Sequence, residues 1–189
     1  MKVSALILAA GSGKRIGTPK LMLEIEGKSF LSIIAENILS AGVKDIVCVV
    51  SEQTYSWAKE KVASINFAIN PKPEDGMLSS VYYGMKQIMN CDNVLIIPVD
   101  HPYVEVNTYK TLLDESGKNI GAIIKPYFEY RSGHPIIVPF ELLKTIDEKC
   151  FLMGLDDIIR KSECRKIFVD VNDNGILKNI NTKMDYSKK

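Results

Sequence analysis

A glycine-rich, cationic loop near the start of the chain has the residue types that bind phosphate chains. It follows a short apolar run at 3–10. Its glycines and cations are Gly11, Gly13, Gly17, Lys14, Arg15 and Lys20. Glycines let backbone N–H groups approach phosphate oxygens closely, and the cations supply charge. The loop therefore predicts a site for a phosphorylated ligand. The short string Gly-Ser-Gly-Lys-Arg alone fits a solvated surface loop equally well.

Two common phosphate-binding motifs do not fit this loop. A P-loop would need glycine at position 8 and a hydroxyl residue after the lysine, where the chain has Leu8 and Arg15. A dinucleotide-binding turn would need its third glycine one residue before Gly17. Pro19 also prevents an uninterrupted helix from the loop, because its ring clashes one turn back. We therefore expect a long loop that wraps a ligand, and the glycine spacing argues against a dehydrogenase.

Length and composition narrow the class of protein. The chain has 189 residues and a net charge of +1, so we expect one domain over 1–189 and no partner such as nucleic acid or an acidic membrane. The four cysteines are widely scattered and suggest neither a zinc site nor a disulfide framework. The apolar start is too short, and its cations come too late, for a signal peptide. The prediction is a cytoplasmic protein with reduced thiols.

Alternating strand and helix patterns predict an α/β fold. Buried strands are expected at 3–10, 46–50, 67–69, 94–97, 120–125 and 167–169. Helices are expected at about 29–41, 54–64, 77–89, 105–116, 139–146 and 155–161, with a short one after Thr182 and an extended segment at 127–135. This alternation indicates a three-layer αβα sandwich around a mostly parallel, doubly wound (Rossmann-like) sheet.

The predicted topology brings a carboxylate towards the loop. If the fourth strand returns beside the first, the ligand crevice lies between their carboxyl ends. The glycine loop leaves the first strand there, and Asp100 leaves the fourth. A single carboxylate together with substrate phosphates suits Mg²⁺. Alternatively, Asp100 caps the helix that follows it.

The whole string Leu-Ala-Ala-Gly-x-Gly-x-Arg-Ile-Gly-x-x-Lys is more specific. It resembles the signature of the MobA-like nucleotidyltransferases, most closely the molybdenum cofactor cytidylyltransferase branch. The resemblance implies a fold of the nucleotide-diphospho-sugar transferase type and a loop that embraces the triphosphate of an NTP. Arg15 and Lys20 would then hold phosphates during catalysis. The nucleotide would also be lined by Leu8, Ala9, Ala10, Gly11, Ser12, Gly13 and Lys14.

Further motifs of this family follow in the same order. Pro98-Val99-Asp100-His101-Pro102 resembles the element whose aspartate holds Mg²⁺ and acts in catalysis. The family often has glutamine where this chain has His101. His101 could contact substrate, although we expect a solvated loop histidine. Gly76-Met77-Leu78-Ser79-Ser80 resembles the element that binds base and ribose, which implies roles for Gly76, Met77, Ser79 and Ser80, and Asn70 matches another nucleotide-binding position. Alternatively, the two serines are merely small helix residues.

The acceptor side of the site is represented by two motifs. Arg131-Ser132-Gly133-His134-Pro135 resembles the family's second-substrate element and implies contacts from Gly133 and His134. The segment 172–182 resembles one that usually ends Asp-Ile-Asp-Thr, but here both aspartates are replaced, by Asn179 and Asn181. An asparagine carbonyl can ligate a hard cation without contributing charge. The resemblance thus implies Asn181 as the second metal ligand, and Asp173 is a candidate substitute.

Three functions are consistent with these motifs. The resemblance favours transfer of a nucleoside monophosphate from an NTP, CTP above all, to molybdopterin-type cofactor with release of pyrophosphate. It also implies transient contact with a molybdoenzyme or a cofactor-delivery protein. A sugar- or polyol-phosphate acceptor is the first alternative, which an acceptor panel would distinguish. A non-catalytic nucleotide-binding accessory protein is the second, suggested by the two missing aspartates.

Overall fold

The computed structural model describes residues 1–187. Its main sheet has eight strands, in the order β10-β7-β9-β6-β1-β4-β5, with β8 paired to β7, and β2 and β3 form a separate hairpin. The strands are β1 (Val3–Leu8), β2 (Glu24–Ile25), β3 (Lys28–Ser29), β4 (Ile46–Val50), β5 (Asn66–Ile69), β6 (Asn93–Pro98), β7 (Ile123–Phe128), β8 (Arg131–Ser132), β9 (Ile136–Pro139) and β10 (Lys166–Asp170).

Helices cover both faces of this sheet. They are α1 (Phe30–Ser40), α2 (Glu52–Lys61), α3 (Met77–Met85), α4 (Val106–Lys118), α5 (Phe140–Lys144), α6 (Leu155–Lys161) and α7 (Lys183–Ser187). Along β1, Ala5 and Ile7 join the core beneath α1 and α4, whereas Leu6 and Leu8 join the core beneath α3 and α6. This alternation buries both faces of the central strands and confirms the predicted α/β architecture.

β1 lies at the switch point of the sheet, where the order of the strands reverses. It pairs in parallel with β4 on one side and with β6 on the other. Because β6 is the predicted fourth strand, the expected crevice between the first and fourth strands is confirmed. The carboxyl ends of β1 and β6 are therefore neighbours, which brings the segments after Leu8 and Pro98 together.

Local signals account for the first helix. The Ser29 hydroxyl accepts a hydrogen bond from Ser32 N at 3.1 Å, which caps α1. Phe30, Ile34 and Ile38 are fully buried on one face, at the helical spacing that the sequence predicted. The helix supports the core under β1 and β4.

Several element boundaries differ from the predicted ones. β9 was not predicted: Ile136–Pro139 forms an antiparallel strand between β6 and β7, although flanking prolines are typical of loops. β7 begins at Ile123 rather than at position 120. α2 begins two residues before the predicted helix at 54–64 and ends three residues before its predicted end. The predicted helix at 77–89 ends at Met85, and Met89 is 77% exposed.

Among residues 1–187, none of the helices has the length and apolarity to cross a bilayer.

Candidate active site

The glycine loop has a compact base and an exposed cationic tip. Gly13 has φ +61°, and a Cβ there would lie 2.0 Å from the Thr18 carbonyl oxygen, so only glycine fits. The Gly13 carbonyl accepts hydrogen bonds from Ile16 N and Gly17 N, both at 2.9 Å. Ile16 is buried and anchors the base of the loop. Lys14 and Arg15 remain exposed at its tip.

Pro19 ends the loop and fixes the position of the third cation. A 3-10 turn over Lys20–Met22 follows it, closed by a 3.0 Å bond from Met22 N to the Pro19 carbonyl. Leu21 in this turn is fully buried, which holds the turn against the core. The backbone of Lys20 is therefore fixed while its side chain, 20% exposed, reaches across the crevice.

The Lys20 ammonium joins the loop to two oxygen ligands from distant parts of the chain. Its Nζ lies 2.7 Å from Asp100 Oδ2 and 2.6 Å from Asn181 Oδ1. Asp100 follows β6, and Asn181 precedes α7. The Asp100 carbonyl also accepts a hydrogen bond from Ile180 N at 2.9 Å, which brings the two segments together. A cation position with two hard oxygen ligands thus lies at the mouth of the glycine loop.

Asp100 stays ionised far below neutral pH. Burial opposes its ionisation, but hydrogen bonds from His101 and Lys20 outweigh that effect and lower its pKa to about 2. His101 Nδ1 lies 2.9 Å from Asp100 Oδ1. A carboxylate can only accept, so the ring nitrogen donates. Both carboxylate oxygens therefore have a defined partner.

His101 and His134 form a ring pair beside this carboxylate. We expected a solvated loop histidine at position 101, and this is wrong: His101 is only 7% exposed. Its ring meets His134 edge to face, with 5.1 Å between centroids. Burial and the adjacent His101 lower the His134 pKa to about 4, so His134 is neutral at pH 7.

Two polar atoms of the segment that carries His134 lack partners. Within residues 1–187, His134 Nδ1 and Ser132 Oγ are buried without a hydrogen bond. A buried polar atom without a partner is costly, and such atoms are often satisfied by a bound molecule. They lie in the segment whose His134 ring packs against His101.

Three adjoining cavities surround the glycine loop. A cavity of about 190 Å³ lies between the loop and α3 and reaches Asp100. A second, of about 340 Å³, contains the cations and Asn181. The third, of about 470 Å³, extends from the loop towards the carboxyl ends of β4 and β5. Of the predicted nucleotide-binding residues, those that line a cavity are Leu8, Ala10, Gly11, Ser12, Gly13, Lys14, Asn70, Gly76, Met77 and Ser80.

The two serines of α3 have different surroundings. Ser79 is fully buried, and its hydroxyl donates to the Gly76 carbonyl at 2.8 Å and accepts from Asn70 Nδ2 at 2.8 Å. Ser80 accepts from the same amide at 3.0 Å and lines the cavity that reaches Asp100. Asn70 Oδ1 accepts from Lys72 N, so this network fixes the loop before α3. Ser80 faces the candidate site, whereas Ser79 supports it.

Three other predicted residues serve the scaffold. Ala9 packs in the core beneath α1. A Cβ at Gly133 would lie 2.1 Å from the Ile176 carbonyl oxygen, so Gly133 allows close packing of the chain. Asp173 is 4% exposed, and its carboxylate accepts from Glu105 N, Thr108 Oγ1 and Gly175 N at 2.9, 2.7 and 2.8 Å. Asp173 caps α4 and has little capacity left to replace a metal-binding aspartate.

The sequence prediction missed the residues beyond β4. Ser51, Glu52, Gln53 and Thr54 line the cavity of about 470 Å³ together with the glycine loop. They carry no family motif. Their position directly after a buried strand was the available signal, because carboxyl ends of parallel strands share one edge.

The donor set suits a cation that arrives with phosphates. Among the described residues, no group of three or more His, Cys, Asp and Glu side chains could hold a metal ion. Asp100 and Asn181 alone supply one charge and two oxygens, and the Lys20 ammonium already lies between them. Mg²⁺ and Mn²⁺ bind oxygen ligands, some of which come from the protein and the others from substrate phosphates. The residues therefore fit a divalent ion bound as part of a nucleotide complex.

A cationic glycine loop facing a carboxylate across the switch point of a doubly wound sheet defines a nucleotide-binding α/β protein. Residues 5–167 match the model of the MobA-like NTP transferase domain. The match covers most of the chain, so this protein belongs to that family of nucleotidyltransferases.

Known proteins similar to this chain differ in their reactions. It is 28% identical over 144 residues to nicotine blue oxidoreductase from Paenarthrobacter nicotinovorans, covering 72% of this chain and 70% of that protein. It is 27% identical over 132 residues to a probable molybdenum cofactor guanylyltransferase from Natranaerobius thermophilus, covering 70% and 62%. This match spans less than two thirds of the guanylyltransferase. The reaction must therefore be inferred from the site.

A solved structure supports the fold. A nucleotidyl transferase from Methanothermobacter thermautotroptrophicus superposes with a TM-score of 0.80 at 20% identity, over 98% of this chain and 94% of that one. At this identity the likeness establishes the fold alone.

Proposed function

We propose that this protein joins a nucleoside monophosphate from an NTP to a phosphorylated acceptor and releases pyrophosphate. The observation that carries the proposal is the convergence of Lys20, Asp100 and Asn181 at the mouth of the glycine loop. CTP is the favoured nucleotide, and molybdopterin-type cofactor is the favoured acceptor. Residues 1–189 would act as one domain.

The reaction needs no nucleophile from the protein. An oxygen of the acceptor phosphate forms a bond to the α-phosphorus of the NTP, the bond from that phosphorus to the bridging oxygen breaks, and pyrophosphate leaves with its electrons. The acceptor phosphate is largely ionised near neutrality, since its second pKa is about 6. His101 is buried against Asp100 and is not required as a base. Catalysis would depend on in-line positioning and charge neutralisation.

The cations of the loop would bind the triphosphate. Lys14, Arg15 and Lys20 line one cavity of about 340 Å³, together with Ser12 and Gly13. Negative charge grows on the leaving pyrophosphate during transfer, and cations bound to its oxygens stabilise that charge. Lys20 would leave its partners for the phosphates when the nucleotide binds.

Asp100 and Asn181 would hold a divalent cation once Lys20 has moved. When bound, the ion neutralises phosphate charge and aligns the triphosphate. We favour Mg²⁺. The full charge of Asp100 is available at neutral pH because its pKa is about 2.

Support for CTP comes from a small residue shared by two of these cavities. Ala10 is 3% exposed and lines both the cavity of about 190 Å³ and the one of about 470 Å³. Its methyl group occupies space that a glycine would leave open, which favours the smaller pyrimidine ring. Ser80 and the backbone at Gly76 and Met77 border the same cavity and could meet polar edges of the base.

The acceptor would bind on the side of His134. The partnerless His134 Nδ1 and Ser132 Oγ would offer polar contacts if binding of the acceptor exposed them. A pterin carries several ring nitrogens and amino groups that could satisfy them. The product would pass to a molybdoenzyme or a delivery protein through transient contact.

Pyrophosphate release tests the proposal directly. The assay supplies Mg²⁺ and molybdopterin cofactor with CTP, GTP, ATP or UTP in turn. Release with CTP alone is the expected result. Release with GTP in preference would overturn the base assignment, and release only with sugar or polyol phosphates would overturn the acceptor. Nucleotide binding without release across the whole acceptor panel would overturn the enzymatic function and favour an accessory protein.

A further inference from the structure

The outer edge of β10 is an unpaired edge strand in the part of the chain that the structure describes. β10 pairs in parallel with β7 on its inner side and ends the sheet. Exposed strand edges readily pair with another chain, and proteins usually protect them. The five residues Lys166–Asp170 contain no proline. This edge is therefore a candidate for pairing with a strand of another chain.

The backbone of β10 presents alternate residues to each side. Ile123 N donates to the Arg165 carbonyl, and Val171 N donates to the Tyr127 carbonyl, both across the inner side. Successive residues of a strand direct their hydrogen-bonding groups to opposite sides. The N–H and C=O groups of Lys166, Phe168 and Asp170 therefore point outwards, away from β7.

The side chains of these three outward residues share one face. Val169 packs in the core beneath α1 and α4, so its neighbours in sequence lie on the opposite face. There Phe168 is 56% exposed and meets Tyr127 edge to face, with 5.8 Å between ring centroids. The edge thus combines unpaired backbone with an exposed aromatic side chain.

The sequence Lys-Ile-Phe-Val-Asp is complementary to itself when reversed. We propose that two copies of this chain pair antiparallel through β10, about a two-fold axis at Phe168. Lys166 of each copy then lies opposite Asp170 of the other, and the two Phe168 side chains lie opposite each other on one face. Opposite charges and aromatic pairs at directly opposed positions are both stabilising.

The proposed pairing forms hydrogen bonds with the outward backbone N–H and C=O groups. All three opposed pairs consist of outward-facing residues, so each pair can exchange both N–H···O=C bonds, or about six in total. The Lys166 ammonium donates to the Ser162 carbonyl at 2.8 Å and has two further N–H donors for the other copy's Asp170. The dimer would form one continuous sheet.

The dimer leaves the nucleotide site free. β7, β9 and β6 lie between β10 and β1 in the sheet, so the glycine loop is far from the axis. An edge of five residues buries less area than a permanent interface requires, so we expect a weak, concentration-dependent dimer. The inference is thus independent of the proposed reaction.

Sedimentation velocity between about 10 µM and about 1 mM tests the pairing. The sedimentation coefficient of the intact chain should rise to that of a dimer. Phe168→Lys should weaken the dimer at least tenfold, about the effect of losing the aromatic pair and opposing two like charges. The control Met89→Lys changes a more exposed apolar residue between α3 and β6 and should leave the dimer intact.

A charge exchange supplies the decisive comparison. Lys166→Asp and Asp170→Lys each oppose like charges and should weaken the dimer, whereas the double variant restores opposite charges and should recover it. A chain that stays monomeric throughout, as it would if the edge served another protein, overturns the proposal. So does a double variant no better than the single ones. Turnover per chain should be unchanged in Phe168→Lys.

Discussion

The Lys20 ammonium lies 2.7 Å from Asp100 Oδ2, so the loop cation neutralises the carboxylate proposed to bind a metal ion. The two side chains come from segments 80 residues apart and meet because β1 and β6 are neighbours. In the free protein, the ammonium and a divalent ion would compete for the same oxygens. Nucleotide phosphates would relieve that competition by binding Lys20.

Lys20→Met should therefore have opposite effects on the two ligands. Without the ammonium, Asp100 is uncompensated, and Mn²⁺ should bind more tightly to the nucleotide-free protein. The affinity for NTP should fall about tenfold, as expected for one lost charge-assisted contact. Titration calorimetry with NTP, and Mn²⁺ titration followed by electron paramagnetic resonance, measure the two effects.

Lys28→Met is the matched control for this substitution. Lys28 pairs with Glu36 at 2.6 Å on an exposed surface, so its loss should change neither affinity. If Lys20→Met and Lys28→Met gave the same Mn²⁺ and NTP affinities, the inference that the Lys20 ammonium competes with the metal ion would be wrong.

Ser79 and Ser80 should separate stability from binding. Ser79→Ala leaves the buried Asn70 amide short of one acceptor and should lower the free energy of unfolding by about 1–2 kcal/mol. Ser80→Ala changes a side chain that lines the nucleotide cavity and should mainly reduce NTP affinity. Urea denaturation and nucleotide titration of both variants test this division. Equal losses of NTP affinity would contradict it.

The sequence predicted the parts of this site that follow from strand order. Buried runs and the positions just after them were enough to bring Lys20 towards Asp100, because parallel strands place their carboxyl ends together. The different surroundings of Ser79 and Ser80 could not be predicted, since both are small helix residues. Only the packing of α3 determines which one turns inwards.

Long-range packing decided the other differences. His101 is buried because the chain around His134 covers it, and no local pattern reports that contact. Asp173 caps α4 from a segment 65 residues away from Thr108, so its role depends on the folded chain. β9 is short, follows Pro135 and ends in Pro139, and the strands on either side of it supply its pairing.

Stability should fall at mildly acidic pH because of His134. Its pKa is about 4 in the folded chain, against an ordinary value of 6.5. The unfolded chain therefore binds a proton first as the pH falls. The contribution is complete above pH 6.5 and is lost between 6.5 and 4, at a slope approaching 1.4 kcal/mol per pH unit and totalling up to about 3 kcal/mol.

His134→Gln should remove this slope, as urea denaturation at several pH values would reveal. Asp100 does not interfere, because its pKa is lowered from 3.8 to about 2 and its contribution is lost only below about pH 4. Direct titration of the His134 ring by NMR provides a second measurement. A ring that titrates near 6.5, or an unchanged slope in the variant, would contradict the prediction.

The two asparagines that replace family aspartates should not be equivalent. Asn181 Oδ1 lies 2.6 Å from the Lys20 ammonium, within the candidate cation site, whereas Asn179 is exposed and lines a different cavity beside Tyr103. Asn181→Asp adds a second negative charge to the proposed ligand pair. We expect Mn²⁺ affinity in the presence of NTP to rise about tenfold, which corresponds to 1.4 kcal/mol.

Asn179→Asp adds the same charge two residues away and is the matched control. Screening by water should keep its effect on Mn²⁺ affinity small. Equal effects of the two substitutions would mean that Asn181 has no special place in metal binding and that charge in this segment acts only at long range.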